Sequence, residues 1–330
     1  MLAGAPAGAP YHRRVTPATD SPWQAGRLTP GRRPQVMFGR MYEDHAVELD
    51  LFPPGSRALV IASAGDTAAA LARAGHRVTA VDISATQLGY ARDRLAGGPT
   101  LTGTAERLMR IGRAAAAAVP AWRPPAMTRF LELTDPVEQA RWWRQELDRP
   151  MLRALMAAGL RPAGPLAGIL RPGLRDVIPS RFDVVFRRRI AACVARYPNA
   201  TNPWAWRLLL GRERPGGTGS DDTGPGDTGP GDTAPYDAGP GPVTGIEWVH
   251  ADVVEHLRQV PAGRYDAVSL SNVLDGPSPA FAAGMREALR HAVRPGGPVI
   301  LRSFHDRSPL PGRPLGDRCP LWGAVVAVET

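Results

Sequence analysis

Val60–Ser84 reads VIASAGDTAAALARAGHRVTAVDIS, and this stretch decides the fold. Ala58–Ser63 is a short apolar run, suited to a strand buried on both faces. Asp66 stands where it can cap a helix over Thr67–Ala74, and Gly75 ends that helix. Arg77–Val81 is a second strand, and Ser84 can cap a helix through Leu95. Strand, tight turn, helix and strand make the repeating unit of a parallel sheet.

The same alternation returns late in the chain. Gly245–His250 and Tyr265–Leu270 read as strands, followed by Asp252 and by Ser271-Asn272. Pro279–Val293 is a helix, and the turn Arg294–Gly297 leads into a strand over Pro298–Phe304. Gly323–Val328 is expected to be an edge strand. Between the halves, residues 101–214 read as helices near Thr104–Ala118, Pro136–Ala158, Ser180–Arg196 and Pro203–Gly211. Pro150 is expected to kink or break the second. Residues 1–34 lack periodicity and read as a disordered arm; residues 215–242 carry DTGPG twice in tandem and read as a flexible linker. The fold class is therefore α/β: a Rossmann-like domain of mostly parallel sheet with helices on both faces. It is split into 35–100 and 243–330 around a large helical insertion.

All forty basic residues among the 330 are arginine, and the net charge is +9, which draws the chain toward anionic lipid, nucleic acid or phosphate. Aromatics at 6% argue against a large base-stacking surface, and no nucleic-acid motif is present, so a nucleic-acid partner is not expected. Cys193 and Cys319 match no metal or redox spacing, so no metal site is expected and a reducing, cytoplasmic setting is the default. No apolar run reaches the length of a bilayer span, so any membrane contact is peripheral. Arg187-Arg188-Arg189, flanked by Arg181 and Arg196, lies among Phe182, Val185, Phe186 and Ile190. That helix can lie on an anionic membrane or dock on the α/β domain with its charges in water.

A dinucleotide turn needs G-x-G-x-x-G, because pyrophosphate nearly touches the backbone. The turn here, Ala62-Ser63-Ala64-Gly65-Asp66, has one glycine, which disfavours pyrophosphate and tolerates a ligand without phosphates, such as S-adenosylmethionine (SAM). Ser63, Ala64 and Gly65 are expected to pack against it. Asp82, followed by Ile83, ends the second strand, where a carboxylate can take both ribose hydroxyls. Asp252, followed by Val253, can accept from the adenine amino group or simply cap its helix. Ser271, Asn272 and Asp275 follow the fourth strand, and His305 and Asp306 the fifth, at the edge where open sheets bind ligands. Tyr42, Glu43, Asp44 and His45 precede the first strand and can fold over that edge.

Gln35–Phe52, with Tyr42-Glu43-Asp44, leads into the Ala62–Gly65 turn, and Asn202-Pro203-Trp204 closes the insertion. This arrangement resembles the S-adenosylmethionine:diacylglycerol 3-amino-3-carboxypropyltransferase family of betaine-lipid synthesis, within the class I SAM-dependent transferase fold. The resemblance covers roughly 35–214 and 243–304; the Ser271–Gly276 loop follows it only loosely. It implies transfer of the aminocarboxypropyl group of SAM to a hydroxyl acceptor, diacylglycerol or similar, with release of methylthioadenosine. Glu43 or Asp44 would then hold the ammonium of the methionine part or take the acceptor proton, with Asp275 and His305 as further acid–base candidates. A class I methyltransferase is the alternative, and a non-catalytic SAM-binding or basic polyanion-binding module a third.

Overall fold

The computed structural model describes residues 34–162, 177–215 and 243–328. The expected arm and linker therefore fall, except for Pro34 and Pro215, outside the described residues. Seven strands form one mixed sheet: β1 (Arg57–Ile61), β2 (Arg77–Asp82), β3 (Ile246–His250), β4 (Ala267–Ser269), β5 (Val299–Ser303), β6 (Gly312–Pro314) and β7 (Ala324–Val328). Their order is β3-β2-β1-β4-β5-β7-β6. The first five run parallel, and β7 is antiparallel to both β5 and β6.

Helices cover both faces. Along β1, Leu59 faces one core with Val254, Met285 and Leu289, while Ala58 and Val60 face the other with Val47, Leu71 and Leu88. The period-two alternation of β1 thus places α1 (Ala46–Leu51), α2 (Asp66–Arg73) and α3 (Ala85–Leu95) on one side. The two late helices, over Val253–Gln259 and Pro279–Ala292, lie on the other.

The insertion leaves the α/β domain after α3 and comprises α4 (Thr104–Ala116), α5 (Pro124–Leu131), α6 (Pro136–Trp142), α7 (Pro150–Leu160), α8 (Phe182–Val194) and α9 (Pro203–Leu209). It has its own core, in which Phe130, Trp143, Leu147 and Trp206 are fully or almost fully buried. The late helices are α10 (Val253–Gln259) and α11 (Pro279–Ala292).

Three expectations need correction. Residues 324–328 are not at the edge: β6, which the sequence reading missed, pairs with them on their outer side. Asp66 is not the cap of α2. The N-cap is Gly65 at φ 89°, and the Asp66 carboxylate instead accepts from the Met41 N–H (2.9 Å) and ion-pairs with Arg94 (2.8 Å). The helix expected over 136–158 is in pieces: α6 passes into one π turn over Trp143–Leu147 and ends at Asp148, and Pro150 then opens α7. A proline has no N–H to contribute inside a helix but fits a helix's first turn, where that N–H is unsatisfied anyway.

Candidate functional site

β1 and β4 are adjacent parallel strands, and the chain leaves them in opposite directions, to β2 on one side and β5 on the other. Such a switch point opens a crevice beyond the strands' C-terminal ends. Both exits are strained. Ser63 after β1 has φ 44° and Ser271 after β4 has φ 52°. A left-handed serine costs about 1–3 kcal/mol, which the surrounding structure must offset.

The segment before β1 is laced over this crevice. The Gln87 amide accepts from the N–H groups of Met37 (2.9 Å) and Phe38 (3.2 Å), and donates to the carbonyls of Phe38 (2.9 Å) and Ser63 (2.8 Å). The Tyr90 hydroxyl donates to the Gly39 carbonyl (2.7 Å), and Glu106 accepts from the N–H groups of Gly39 and Arg40. These bonds carry Tyr42 and Glu43 to the sheet edge.

Between the sheet edge and the insertion lies a cavity of about 970 Å³. At the sheet edge its wall is Glu43, Ser63, Ser271 and Asn272, and Gln35, Arg40, Thr104, Arg107 and Arg113 are polar elsewhere in it, while its greater part is lined by insertion side chains such as Leu152, Met156, Phe182, Phe186 and Leu208. The Ser271 hydroxyl donates to the Glu43 carboxylate. Glu43 is buried, and its carboxyl is pushed up to about 7: burial is the main cause, the nearby Glu48 adds to it, and Arg302 opposes it.

Behind Glu43 sits a buried charge cluster. Arg302, next to last in β5 and wholly buried, is bonded to both oxygens of Glu48 (2.5 and 3.0 Å) and to Asp317 (2.9 Å), and lies 3.6 Å from Glu43. Asp44 takes a two-pronged ion pair from Arg318 (2.6 and 2.8 Å). Burial alone would raise the Asp44 carboxyl, but Arg318 holds it below the usual carboxylate range. Burial raises the Asp317 carboxyl. Four carboxylates thus face two guanidiniums, Arg302 and Arg318, so the cluster retains a proton or welcomes a further cation.

The two distant sequence motifs meet here. Asn202 caps α9 and donates to the Arg318 carbonyl (2.8 Å). The Arg318 guanidinium lies over the Trp204 ring at 4.7 Å, and His45 meets the same ring edge-on at 5.7 Å. Arg207 donates to the Met41 carbonyl (2.9 Å). The Asn-Pro-Trp motif therefore braces the segment that carries Glu43.

Of the residues expected at the site, Tyr42, Glu43, Ser63, Ser271 and Asn272 line the cavity, and the others do not. Ala64 is buried against Met41 and Tyr90, and a Cβ on Gly65 would meet the Leu95 side chain at 3.1 Å, so both face away from it. Asp82 ends β2 and accepts from the N–H groups of Ser63 (3.1 Å) and Ser84 (2.9 Å). Burial pushes its carboxyl up to about 6 against these two bonds. Ile83, half-buried, accepts at its carbonyl from the His250 ring (3.1 Å). Asp252 caps α10 through the N–H groups of Val254 and Glu255, and the Val253 side chain belongs to the core. Asp44 is committed to Arg318. Asp275 pins the end of β5, accepting from the Ser303 hydroxyl (2.6 Å) and the Phe304 N–H (2.7 Å). The His305 N–H donates to the Ser303 hydroxyl (2.9 Å), which places it one residue past the cavity-lining Phe304.

The basic helix α8 docks inward. Arg187 bonds Asp148 (2.7 Å), Arg189 bonds Asp306 (2.9 Å) and the Leu321 carbonyl (2.9 Å), and Arg188 pairs with Asp306. Its apolar side faces the cavity.

Sequence reading missed Gln87, Glu48, Arg302, Asp317 and Arg318. Arg302 left a trace: an arginine inside the apolar run VILRS must be paired if that run is a buried strand. Among the described residues no group of three or more His, Cys, Asp or Glu side chains is placed to hold a metal ion, and no helix is long and apolar enough to cross a membrane. No family model matches this chain, nor does any curated protein or solved structure.

Proposed function

We propose that this chain is a SAM-dependent transferase that moves the 3-amino-3-carboxypropyl group to the hydroxyl of a largely apolar acceptor, with Glu43 as general base. The observation that carries this reading is the Glu43 carboxyl, raised to about 7 at the sheet-edge wall of a largely apolar cavity. A base poised near working pH takes a hydroxyl proton with useful probability and driving force. Ser271 holds the carboxylate through its hydroxyl, and Arg302 limits how far the pKa climbs.

In this reading SAM lies along the strand ends beside the cavity, since Asp82 and Asp252 do not line the cavity itself. Asp82 keeps lone pairs for ribose hydroxyls beyond its two backbone bonds, and Asp252 keeps one oxygen outside its cap for an adenine amino group. The excess of buried carboxylate beside Glu43 suits the ammonium and sulfonium charges. When bound, SAM supplies a γ-carbon activated by its sulfonium, with methylthioadenosine as the leaving group. This chain's part is to orient the acceptor hydroxyl, hold its proton at a Glu43 oxygen and exclude water with the apolar lining. The doubly wound order with an antiparallel β7 beside β5 accords with a class I SAM-dependent transferase fold. That likeness speaks to fold, and the site residues carry the chemistry.

Mass spectrometry of the SAM by-product, with a lipid extract as acceptor, tests the reading. Methylthioadenosine formed only with acceptor, and lost in Glu43→Gln, supports it. S-adenosylhomocysteine in its place would make the chain a methyltransferase.

A further inference from the structure

A surface helix normally turns its apolar stripe toward a core. The helix α4 does not. Its positions 108, 111, 112 and 115 form one stripe at helical spacing, yet none of its thirteen residues is buried. Leu108 is 60% exposed and Ile111 67%. The neighbouring helix α7, PMLRALMAAGL, is apolar but for Arg153, buries only Leu152 and leaves Met151 55% exposed. The two helices pack together. Leu108, Ile111 and Ala115 from α4, with Leu155, Met156 and Leu160 from α7, also line the cavity. The exposed apolar face is therefore continuous with the cavity wall.

The charge beside that face is basic. Arg107, one turn before Ile111, borders the stripe on α4, and exposed Arg149 adjoins Met151 at the start of α7. Apolar side chains flanked by arginine are what an anionic bilayer accepts, the apolar groups entering the acyl boundary and the guanidiniums meeting lipid phosphates. We propose that α4 and α7 form a docking face for an anionic lipid bilayer, which sets the cavity mouth against the membrane. This moves membrane contact away from α8, whose Arg187 and Arg189 are spent on internal bonds. The acceptor reading gives docking its purpose, but docking is measured without SAM.

The test is co-sedimentation of the full chain with vesicles of phosphatidylcholine alone and of phosphatidylcholine mixed equally with phosphatidylglycerol. Wild type should bind the mixed vesicles and bind the neutral ones much more weakly. The double variant Leu108→Asp/Ile111→Asp should lose on the order of 100-fold in partition, because two side chains that would enter the bilayer no longer do so. Arg149→Ala should lose about fivefold on the mixed vesicles only. Both sites are exposed, so far-UV circular dichroism and Tm should match wild type. Equal binding by wild type and the double variant would overturn the proposal. So would a wild-type dimer that Leu108→Asp dissolves without any vesicle binding, since a second copy would then be the occupant. Vesicle binding without methylthioadenosine formation would sink the transferase reading and leave docking standing; the reverse result would sink docking alone.

Discussion

Replacing Glu43 by glutamine separates a titrating carboxyl from a merely buried polar group. The carboxyl is displaced from an ordinary 4.5 to about 7. Between those values the folded chain keeps a proton that the unfolded chain has released, so raising the pH through this window favours unfolding. At about 1.36 kcal/mol per pH unit the full displacement amounts to roughly 3 kcal/mol, lost as the pH climbs through 7. Glu43→Gln keeps the size and shape of the side chain and cannot ionise. Urea unfolding of both proteins at pH 5 and pH 8 gives the comparison. Wild type should lose roughly 2–3 kcal/mol more than the variant between the two pH values. Asp82, raised to about 6, titrates in both proteins and cancels in the difference. Should the two proteins lose the same amount, Glu43 ionises normally, and neither the excess of carboxylate nor the base assignment survives.

Other perturbations read other parts of the site. Arg302→Met leaves Glu48 and Asp317 buried without their guanidinium, so unfolding by urea should show a loss of about 3–5 kcal/mol at neutral pH. Asp82→Ala should abolish SAM binding in a calorimetric titration while the circular dichroism spectrum is retained. Ser63→Gly removes the penalty of a side chain at φ 44° and should raise stability by about 1 kcal/mol in the same urea assay. If Ser63 also contacts ligand, the stabilised variant should bind SAM more weakly.

The parallel core was legible because its signals are local. Short apolar runs, Ser84 capping α3 (3.3 Å), Asp252 capping α10 and glycines closing turns all act within a few residues. What failed was non-local. Strand β6 is three residues, Gly312–Pro314, with no apolar alternation of its own, and it exists because β7 offers it an edge. Asp66 looked like a cap because an acid at a helix start usually is one. Arg94 and the Met41 N–H, both remote in sequence, outbid the helix end for its carboxylate.

The site divides along the same line. Glu43, Ser63, Ser271 and Asn272 were named from motif and strand position, and the structure gathers them on one wall. The Asn-Pro-Trp motif was matched by sequence pattern alone. Its physical task, bracing Arg318 against Asp44, depends on residues more than 100 positions apart in the chain. Nor did the motif rank Glu43 above Asp44, since both are acids in the same tripeptide. The difference lies in what each meets. Asp44 faces an arginine that is 31% exposed and pairs with it through both oxygens, which fixes it as a charged anchor. Glu43 shares Arg302 with Glu48 and Asp317 and stands farthest from it, at 3.6 Å, so it receives too little positive charge to match its burial. An acid partly starved of its counter-ion and exposed to a cavity is chemically available, whereas a fully paired one is structural. That contrast makes Glu43→Gln and Asp44→Asn a matched pair. The first should cut turnover by about 100-fold or more with the fold intact. The second should lower Tm and raise KM for the acceptor by loosening the 41–45 segment, with a smaller effect on kcat. Equal losses of kcat in the two variants would mean that the pairing geometry does not distinguish base from anchor.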